Sequence, residues 1–357
     1  MSIENSMASS KLNTVSSEDH PADRPMTPAD QASPAMAIYR SLAELPPTLG
    51  PVVATIGNFD GVHRGHRWVI AEVIARAKSL GIRSLAVTFD PHPAHVLRPG
   101  QSMPLITPLA EKLRLLARTG IDATLVLPFD NTLRHLSARE FAEQVLHRAL
   151  HAAEVHEGEN FRFGYQAQAG IDGPDGLEQL GRSLGFSCCV YTPRTLRGHV
   201  VSSSRIRELI STGDVRHARA LLGRPFAILS TPASGRGYGT RYTVPTINLA
   251  PYPELAPAHG VYITTLTIGE GAQAETFESV TNVGNRPTFG ADSFSIESHL
   301  LNFHPIDLTE QMPLELAFLD RIRPEIRFPS PEALREQIGR DVTRARRYFN
   351  LCRALTH

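Results

Sequence analysis

Two histidines three residues apart, His63 and His66, stand in the run Gly57-Asn58-Phe59-Asp60-Gly61-Val62-His63-Arg64-Gly65-His66, directly after the apolar stretch Val52-Val53-Ala54-Thr55-Ile56. A strand-to-helix turn of this composition suits a triphosphate. The first turn of a helix leaves backbone N–H groups without intrahelical partners and carries the positive end of the helix dipole, so it attracts phosphate. Residues at i and i+3 share a helix face, and Gly65 removes the side chain that would keep phosphate oxygens away. The chemistry would be electrostatic, with imidazoles stabilising charge on phosphate oxygens and no covalent intermediate. The same region admits a metal reading, in which Asp60, His63, His66, Asp90 and His92 ligate zinc or manganese. The glycines beside the histidines favour phosphate approach and have no part in ligation.

A second constellation lies 180 residues further on. In Pro245-Thr246-Ile247-Asn248, Thr246 and Asn248 are two apart, so on a strand they share one face and can offer a hydroxyl and an amide oxygen to Mg2+. The preceding Gly235-Arg236-Gly237-Tyr238-Gly239 reads on its own as a flexible loop. Glu297 stands among apolar strand residues, where a carboxylate is unexpected without a partner or a task, although alternation with Ile296 would also turn it outward. No Walker sequence occurs, so a nucleotide phosphate bound here would not sit in a P-loop.

The elements that must carry these groups show in the patterning. Between residues 51 and 192 short apolar runs alternate with helical periods: Val52 to Ile56, Ser84 to Phe89, Ala123 to Leu127, the neighbourhood of Val155, and Ser187 to Tyr191. Strands apolar throughout imply a parallel sheet covered on both faces, a doubly wound α/β domain. Thr107 followed by Pro108 predicts a capped helix carrying Leu109, Leu113 and Leu116, and Ser137 to Glu140 a capping box. The polar motifs Gly57 to Asp60, Asp90 to Pro93 and Phe129-Asp130 all follow strands, at the edge where such sheets bind ligands.

After about residue 221 the texture becomes period-2 strands punctuated by Gly and Pro, which implies a sandwich or a closed barrel. A last helix is capped by Ser330 and Pro331, and its buried stripe is expected to hold Leu334, Ile338, Val342, Ala345 and Phe349. The expected division is a disordered tail over 1–36, an α/β domain over 37–211, a linker over 212–221 and an all-β domain over 222–357. The 357 residues carry 36 Lys plus Arg against 36 Asp plus Glu, a formal net charge of zero, so no global field recruits nucleic acid or an anionic membrane. Three cysteines without CxxC spacing argue against a disulfide framework or zinc ribbon and point to a reducing cytoplasm. No apolar stretch of the tail resembles a signal peptide or a membrane span.

The pattern Gly-x-Phe-Asp-Gly-x-His-x-Gly-His resembles the nucleotidyltransferase signature in the adenylyltransferase half of bacterial bifunctional riboflavin kinase/FAD synthetases. Thr88-Phe89-Asp90-Pro91-His92-Pro93 matches that family's TFDPHP run, which implies that Asp90 and His92 lie near the flavin phosphate. Gly158-Glu159-Asn160-Phe161-Arg162-Phe163-Gly164 resembles its FRFG segment and makes Asn160 a nucleotide contact. The following loop departs, with no basic residue from Tyr165 to Asp172 where relatives often have one. Val201-Ser202-Ser203-Ser204-Arg205-Ile206-Arg207 is similar to the Ile-Ser-Ser-Thr-x-x-Arg motif, so Ser203, Ser204 and Arg207 would hold the triphosphate together with Gly57, Phe59, Asp60 and Gly65. Read without the resemblance, it is a serine-rich helix cap.

Gly235, Gly237 and Gly239, then Pro245-Thr246-Ile247-Asn248, resemble the riboflavin kinase motif, with Tyr238 and Thr243-Val244 as departures. Thr281 to Phe289 and Ile296 to Leu301 continue the likeness. It implies a nucleotide loop at the glycines, Mg2+ at Thr246 and Asn248, and Glu297 as general base. The whole then reads as a nucleotidyltransferase-like Rossmann domain making FAD from FMN and ATP, plus a closed barrel with a terminal helix making FMN from riboflavin and ATP. A flavin-binding regulator on a degenerate scaffold and a metal-dependent phosphohydrolase are the competing readings.

Overall fold

The first unit of the chain is organised by six parallel strands, β1 (Ala37–Tyr39), β2 (Val52–Ile56), β3 (Arg83–Asp90), β4 (Ala123–Pro128), β5 (Ala152–Gly158) and β6 (Ser187–Tyr191), in the order β1-β4-β3-β2-β5-β6. The computed structural model describes residues 36–101, 103–171, 173, 176–233, 246–286, 293–306 and 308–355, and the chain divides after Ser203. The expected tail, apart from Met36, lies outside the described residues. Around the sheet run α1 (Arg64–Leu80), α2 (Pro93–Leu97), α3 (Leu109–Ala117), α4 (Ala138–Phe141), which continues as a π-helical stretch over Ala142–Ala149, and α5 (Leu177–Leu184). A small hairpin, β7 (Thr195–Leu196) and β8 (His199–Val200), closes the unit.

All five residues of β2 are buried. Val53 packs on Val73 and Ala77 of α1, while Val52, Ala54 and Ile56 join Val145, Leu146, Leu177 and Leu180 on the other face. That two-sided covering is why the strand lacks alternation; each such aliphatic side chain contributes about 1.5–3 kcal/mol over its exposed state. The Ser137–Glu140 capping box is formed. Thr107 differs from expectation: Pro108 caps α3, because the Thr107 side chain and amide are both drawn to the turn after β2.

The second unit holds α6 (Ser203–Ser211, of which all but Ser203 falls here) and α7 (Val215–Leu222), then β9 (Phe226–Ser230), β10 (Thr246–Asn248), β11 (Gly260–Ile268), β12 (Glu275–Arg286), β13 (Ser293–Leu300), β14 (Leu314–Pro324) and α8 (Pro331–Leu355). The six strands form an antiparallel sheet in the order β10-β13-β12-β11-β14-β9. Instead of a closed ladder, the described residues join the two terminal strands by one bridge, Pro232 with Leu249, flanked by bonds from Ala233 N–H to Asn248 O and Ala250 N–H to Thr231 O, both 2.8 Å.

One face of this sheet buries Phe226, Tyr262, Leu266, Phe277, Ile296 and Phe318. Among them runs a chain of wholly buried hydroxyls: Thr264 bonds Ser279 (2.8 Å) and Thr281 (2.7 Å), and Thr281 bonds Ser298 (3.1 Å). The opposite face packs Val261, Ile263, Val280 and Ile322 under Ala345 and Phe349 of α8, with Val342 partly buried beside them. The expected stripe is thus only half correct, since Leu334 and Ile338 are 41% and 46% exposed. In their half of the helix the inward group is Asp341, paired at 2.9 Å with Arg323 of β14.

Residues 212–221, taken from sequence as a linker, contain most of α7. Its Val215, Ala218, Leu221 and Leu222 are fully buried, and it packs on β14 and β9. Gly213 has φ +85 and lies where a Cβ would meet the Tyr262 hydroxyl and the Arg321 guanidinium, so this corner accepts only glycine. Arg321 secures it by donating to Thr212 O (3.0 Å) and His259 O (2.7 Å). Among the described residues no helix is long and apolar enough to cross a membrane.

Candidate functional site

The strand order reverses at β2, which has β3 on one side and β5 on the other. In open α/β sheets the crevice beyond the carboxyl ends at such a reversal is the ligand site. Here the β2–β5 ladder stops at Ala54 and Val155. Beyond it the Ile56 N–H is taken up by the Glu157 carboxyl, with Thr55 Oγ1 3.5 Å from the same oxygen. Burial pushes the Glu157 pKa well up, favouring the protonated acid.

The turn after β2 is strained and firmly held. Phe59 (φ 47) and Val62 (φ 37) are left-handed without being glycine, a costly state for a β-branched residue, and both are buried. The Asp60 carboxylate, 1% exposed, accepts from Ile106 N–H (3.0 and 3.2 Å) and Thr107 N–H (3.0 Å). Gly61 N–H donates to Thr107 Oγ1 at 3.0 Å, and Ser203 Oγ donates to the Asp60 carbonyl at 2.8 Å. Bonds to a charged acceptor contribute about 1.5–3 kcal/mol each, enough to offset strain of this kind. Asp60 therefore braces the turn, and Ser203 is brought to it.

His63 caps α1, its Nδ1 accepting from His66 N–H at 3.2 Å. The two rings stack with centroids 3.5 Å apart, and His66 meets the edge of Phe59 at 5.2 Å. A Cβ on Gly65 would come within 3.2 Å of the His63 ring, and one on Gly57 within 3.2 Å of the Phe59 ring. Both glycines thus make room for neighbouring rings of the site. His66 Nδ1 is buried without a hydrogen-bond partner among the described residues. Burial first, then His63 and Lys112, hold its pKa well below the ordinary histidine value, so its imidazole is neutral at pH 7.

Lys112 was not singled out from sequence. It is 3% exposed on α3, 3.5 Å from Thr88 Oγ1, and its pKa is lowered by burial against the opposing influence of Asp60 and Asp90. Nothing in the pattern Leu109-Ala110-Glu111-Lys112 distinguishes it from a solvated helix lysine.

Beside the turn opens a cavity of about 490 Å3, lined by Gly57, His92 and Asn160 and walled by Phe89, Phe129, Phe161 and Phe163. His92 caps α2, its Nδ1 accepting from Ala94 N–H at 3.1 Å, and Asp90 ends β3 with its side chain exposed. Arg98, Arg134 and Arg162 also line the cavity, supplying positive charge that the 165–172 loop does not. Gly170 leaves the room that the Arg162 guanidinium fills. Among the described residues, Asp60, His63, His66, Asp90 and His92 do not bring three ligand atoms within 4.8 Å of one another. Ser204 is exposed at the start of α6, and Arg207 follows one turn later.

In the second unit, Asn248 of β10 and Glu297 of β13 are register partners, as are Thr246 and His299. Partners in an antiparallel ladder share a face, so Thr246, Asn248 and Glu297 come together. Thr246 Oγ1 lies 3.2 Å from His299 Nδ1, and burial, with Arg346, lowers the His299 pKa. Gly235, Gly237 and Gly239 lie outside the described residues.

Residues 46–205 match a family model described as FAD synthetase, and residues 222–349 one described as riboflavin kinase. A bifunctional riboflavin kinase/FMN adenylyltransferase of Pseudomonas fluorescens is 35% identical over 312 residues, covering 87% of this chain and 97% of that protein. Its namesake in Escherichia coli (strain K12) is 33% identical over 301 residues, 84% of this chain and 93% of that one. A crystal structure described as a macrolide-efflux protein from Streptococcus pneumoniae has a TM-score of 0.74 at 25% identity, covering 87% of this chain and 98% of its own. With an FAD synthetase domain followed by a riboflavin kinase domain, the chain belongs to the bifunctional riboflavin kinase/FMN adenylyltransferase family.

Proposed function

We propose that the two units perform consecutive steps, riboflavin to FMN in the second and FMN to FAD in the first, each with ATP. The observation that carries the reading is the convergence, at one reversal of a parallel sheet, of a braced histidine pair and an aromatic cavity rimmed by arginines. On this reading the phenylalanine walls take the isoalloxazine, and Asp90, His92 and the three arginines orient the flavin phosphate. Gly57, Phe59, Gly65 and Ser203 cradle the nucleotide phosphates, with Asn160 at the nucleotide. An FMN phosphate oxygen attacks the α-phosphorus of ATP, the bond to the β-phosphate bridging oxygen breaks, and pyrophosphate leaves. His63 and His66 stabilise the charge that grows on the phosphate oxygens. Asp60 acts one layer back, by holding the turn.

In the second unit the shared face of Thr246, Asn248 and Glu297 offers only oxygen donors from its proposed ligands, which fits a hard cation such as Mg2+. When bound, Mg2+ would neutralise phosphate charge. Glu297 takes the proton from the ribityl 5′-hydroxyl as that oxygen bonds to the γ-phosphorus and ADP leaves. The bridge between Pro232 and Leu249 supports closure of the sheet into a barrel. The adenylyltransferase domain is assigned to 37–211 as far as its motifs reach, and the kinase fold extends back to include α7.

The reading is tested by separating flavins chromatographically after incubation with riboflavin, ATP and Mg2+. FMN should appear first and FAD after it. Hydrolysis of ATP without flavin conversion would favour a phosphohydrolase, and riboflavin binding without turnover a regulator.

A further inference from the structure

Around the β6 edge of the sheet lies a second cavity, of about 900 Å3, lined from both α1 and α5, that shares no lining residue with the first. Its wall holds Glu154 and His156 of β5, Cys189 and Tyr191 of β6, and Glu72 and Arg76 of α1. His156 and Cys189 are register partners, and Glu154 is two residues from His156, so all three donors face the same way. One carboxylate oxygen, one imidazole nitrogen and the Cys189 sulfur lie within 4.8 Å of one another. We propose that Glu154, His156 and Cys189 form a binding site for a borderline-soft divalent transition metal, with Zn2+ the type ion.

The donor chemistry argues for the class. Mg2+, the cation that accompanies ATP, takes oxygen ligands, whereas a set of N, S and O suits Zn2+ or Co2+. Three protein donors with cavity beyond them is the open form of such a site. The surroundings are built as metal sites are. His156 is 3% exposed; its Nδ1 lies 2.8 Å from the Tyr191 hydroxyl, while Nε2 points to Glu154 Oε2 at 3.3 Å. Tyr191 can accept from Nδ1–H, which leaves the Nε2 lone pair for a metal. Arg76 grips Glu154 through Nε (2.9 and 2.8 Å) and Nη2 (2.6 Å). A carboxylate has about four lone-pair positions, so Oε2 can still turn one toward an ion between it and Nε2. The carboxylate held by Arg76 thus has a buried imidazole and a thiol beside it, so oxygen, nitrogen and sulfur donors meet at one place.

The test uses the full chain, dialysed against chelator and titrated with Co2+ alone. One equivalent should give a thiolate-to-cobalt band in the near ultraviolet with the strong visible absorption of tetrahedral coordination, and Zn2+ should displace it. Cys189→Ser should abolish the thiolate band, and Tyr191→Phe should weaken binding about 10- to 100-fold. Cys188→Ser and the pair His63→Ala/His66→Ala should leave the band in place. A measurement without variants accompanies these: Zn2+ should protect Cys189 from alkylation, read by peptide mass. Absence of the band, its survival in Cys189→Ser, or alkylation of Cys189 undiminished by Zn2+ would overturn the proposal.

Discussion

The imidazoles of His63 and His66 stack face to face, 3.5 Å between centroids, with His63 Nδ1 accepting the His66 amide. Each ring fixes the other, and neither can be replaced without disturbing the pair. Changing both to Ala should lower FAD formation from FMN by roughly 10²-fold or more, the usual worth of a preorganised electrostatic group. Riboflavin phosphorylation should continue, so FMN should accumulate in the chromatogram. Loss of both activities in a folded variant would contradict two separate sites.

Glu297→Gln should keep the β10–β13 pairing and reduce FMN formation roughly 10²- to 10⁴-fold, as expected for a positioned base. FAD formation from supplied FMN should be unchanged. Steady-state rates with each flavin separately provide the check, and parental kinase turnover would remove Glu297 from the mechanism.

Lys112→Met removes a buried cation near Asp60, Asp90 and His66. Because Lys112 helps hold the His66 pKa down, its removal should raise it. An NMR titration of the histidines reads this directly. Adenylyltransferase kcat/KM should fall while kinase activity persists; a His66 titration that does not move would mean that the lysine charge is not felt at the site.

Glu157 binds its proton more tightly folded than unfolded, since burial raises its pKa from the ordinary 4.5. Its contribution to stability is therefore complete below about 4.5 and declines as pH rises toward the folded value. Glu157→Gln keeps a neutral group of the same shape and should flatten that decline. Denaturant midpoints at pH 5 and 8 for both proteins test it; an unchanged slope would exclude Glu157 as its source.

A fragment beginning at Ser203 should unfold cooperatively and phosphorylate riboflavin, whereas one beginning at Gly223 should aggregate. The difference is α7, whose buried Val215, Leu221 and Leu222 each contribute about 1.5–3 kcal/mol. That sum rivals the 5–15 kcal/mol or so by which a whole domain is stable. Thermal unfolding of both fragments decides it, and equal stability would make the packing of α7 incidental.

Much of this was legible because the informative residues are rare types at fixed spacings. The runs from Val52 and Ser187 form the strands they suggested, and the glycines and histidines between Ile56 and Arg67 mark the turn from strand to helix. What escaped had no local signal. β1 is three residues long and owes its existence to β4. Lys112 and Cys189 look like any helix lysine or strand cysteine until tertiary contacts bury one and set the other beside His156. The helical period alone put Leu334 and Ile338 inward, but packing on the sheet reaches only the later turns of α8.

The buried hydroxyls of Thr264, Ser279, Thr281 and Ser298 lie on the face away from Glu297, yet they govern it. Slipping β13 by one residue would turn Ser298 outward and leave its partners unbonded in an apolar interior, a cost of about 1–3 kcal/mol for each stranded group. The same slip would turn Glu297 inward and away from Asn248. A ladder of hydroxyls that touches no substrate thus acts as an alignment key, and the interior of the sheet sets the address of the group on its outer face.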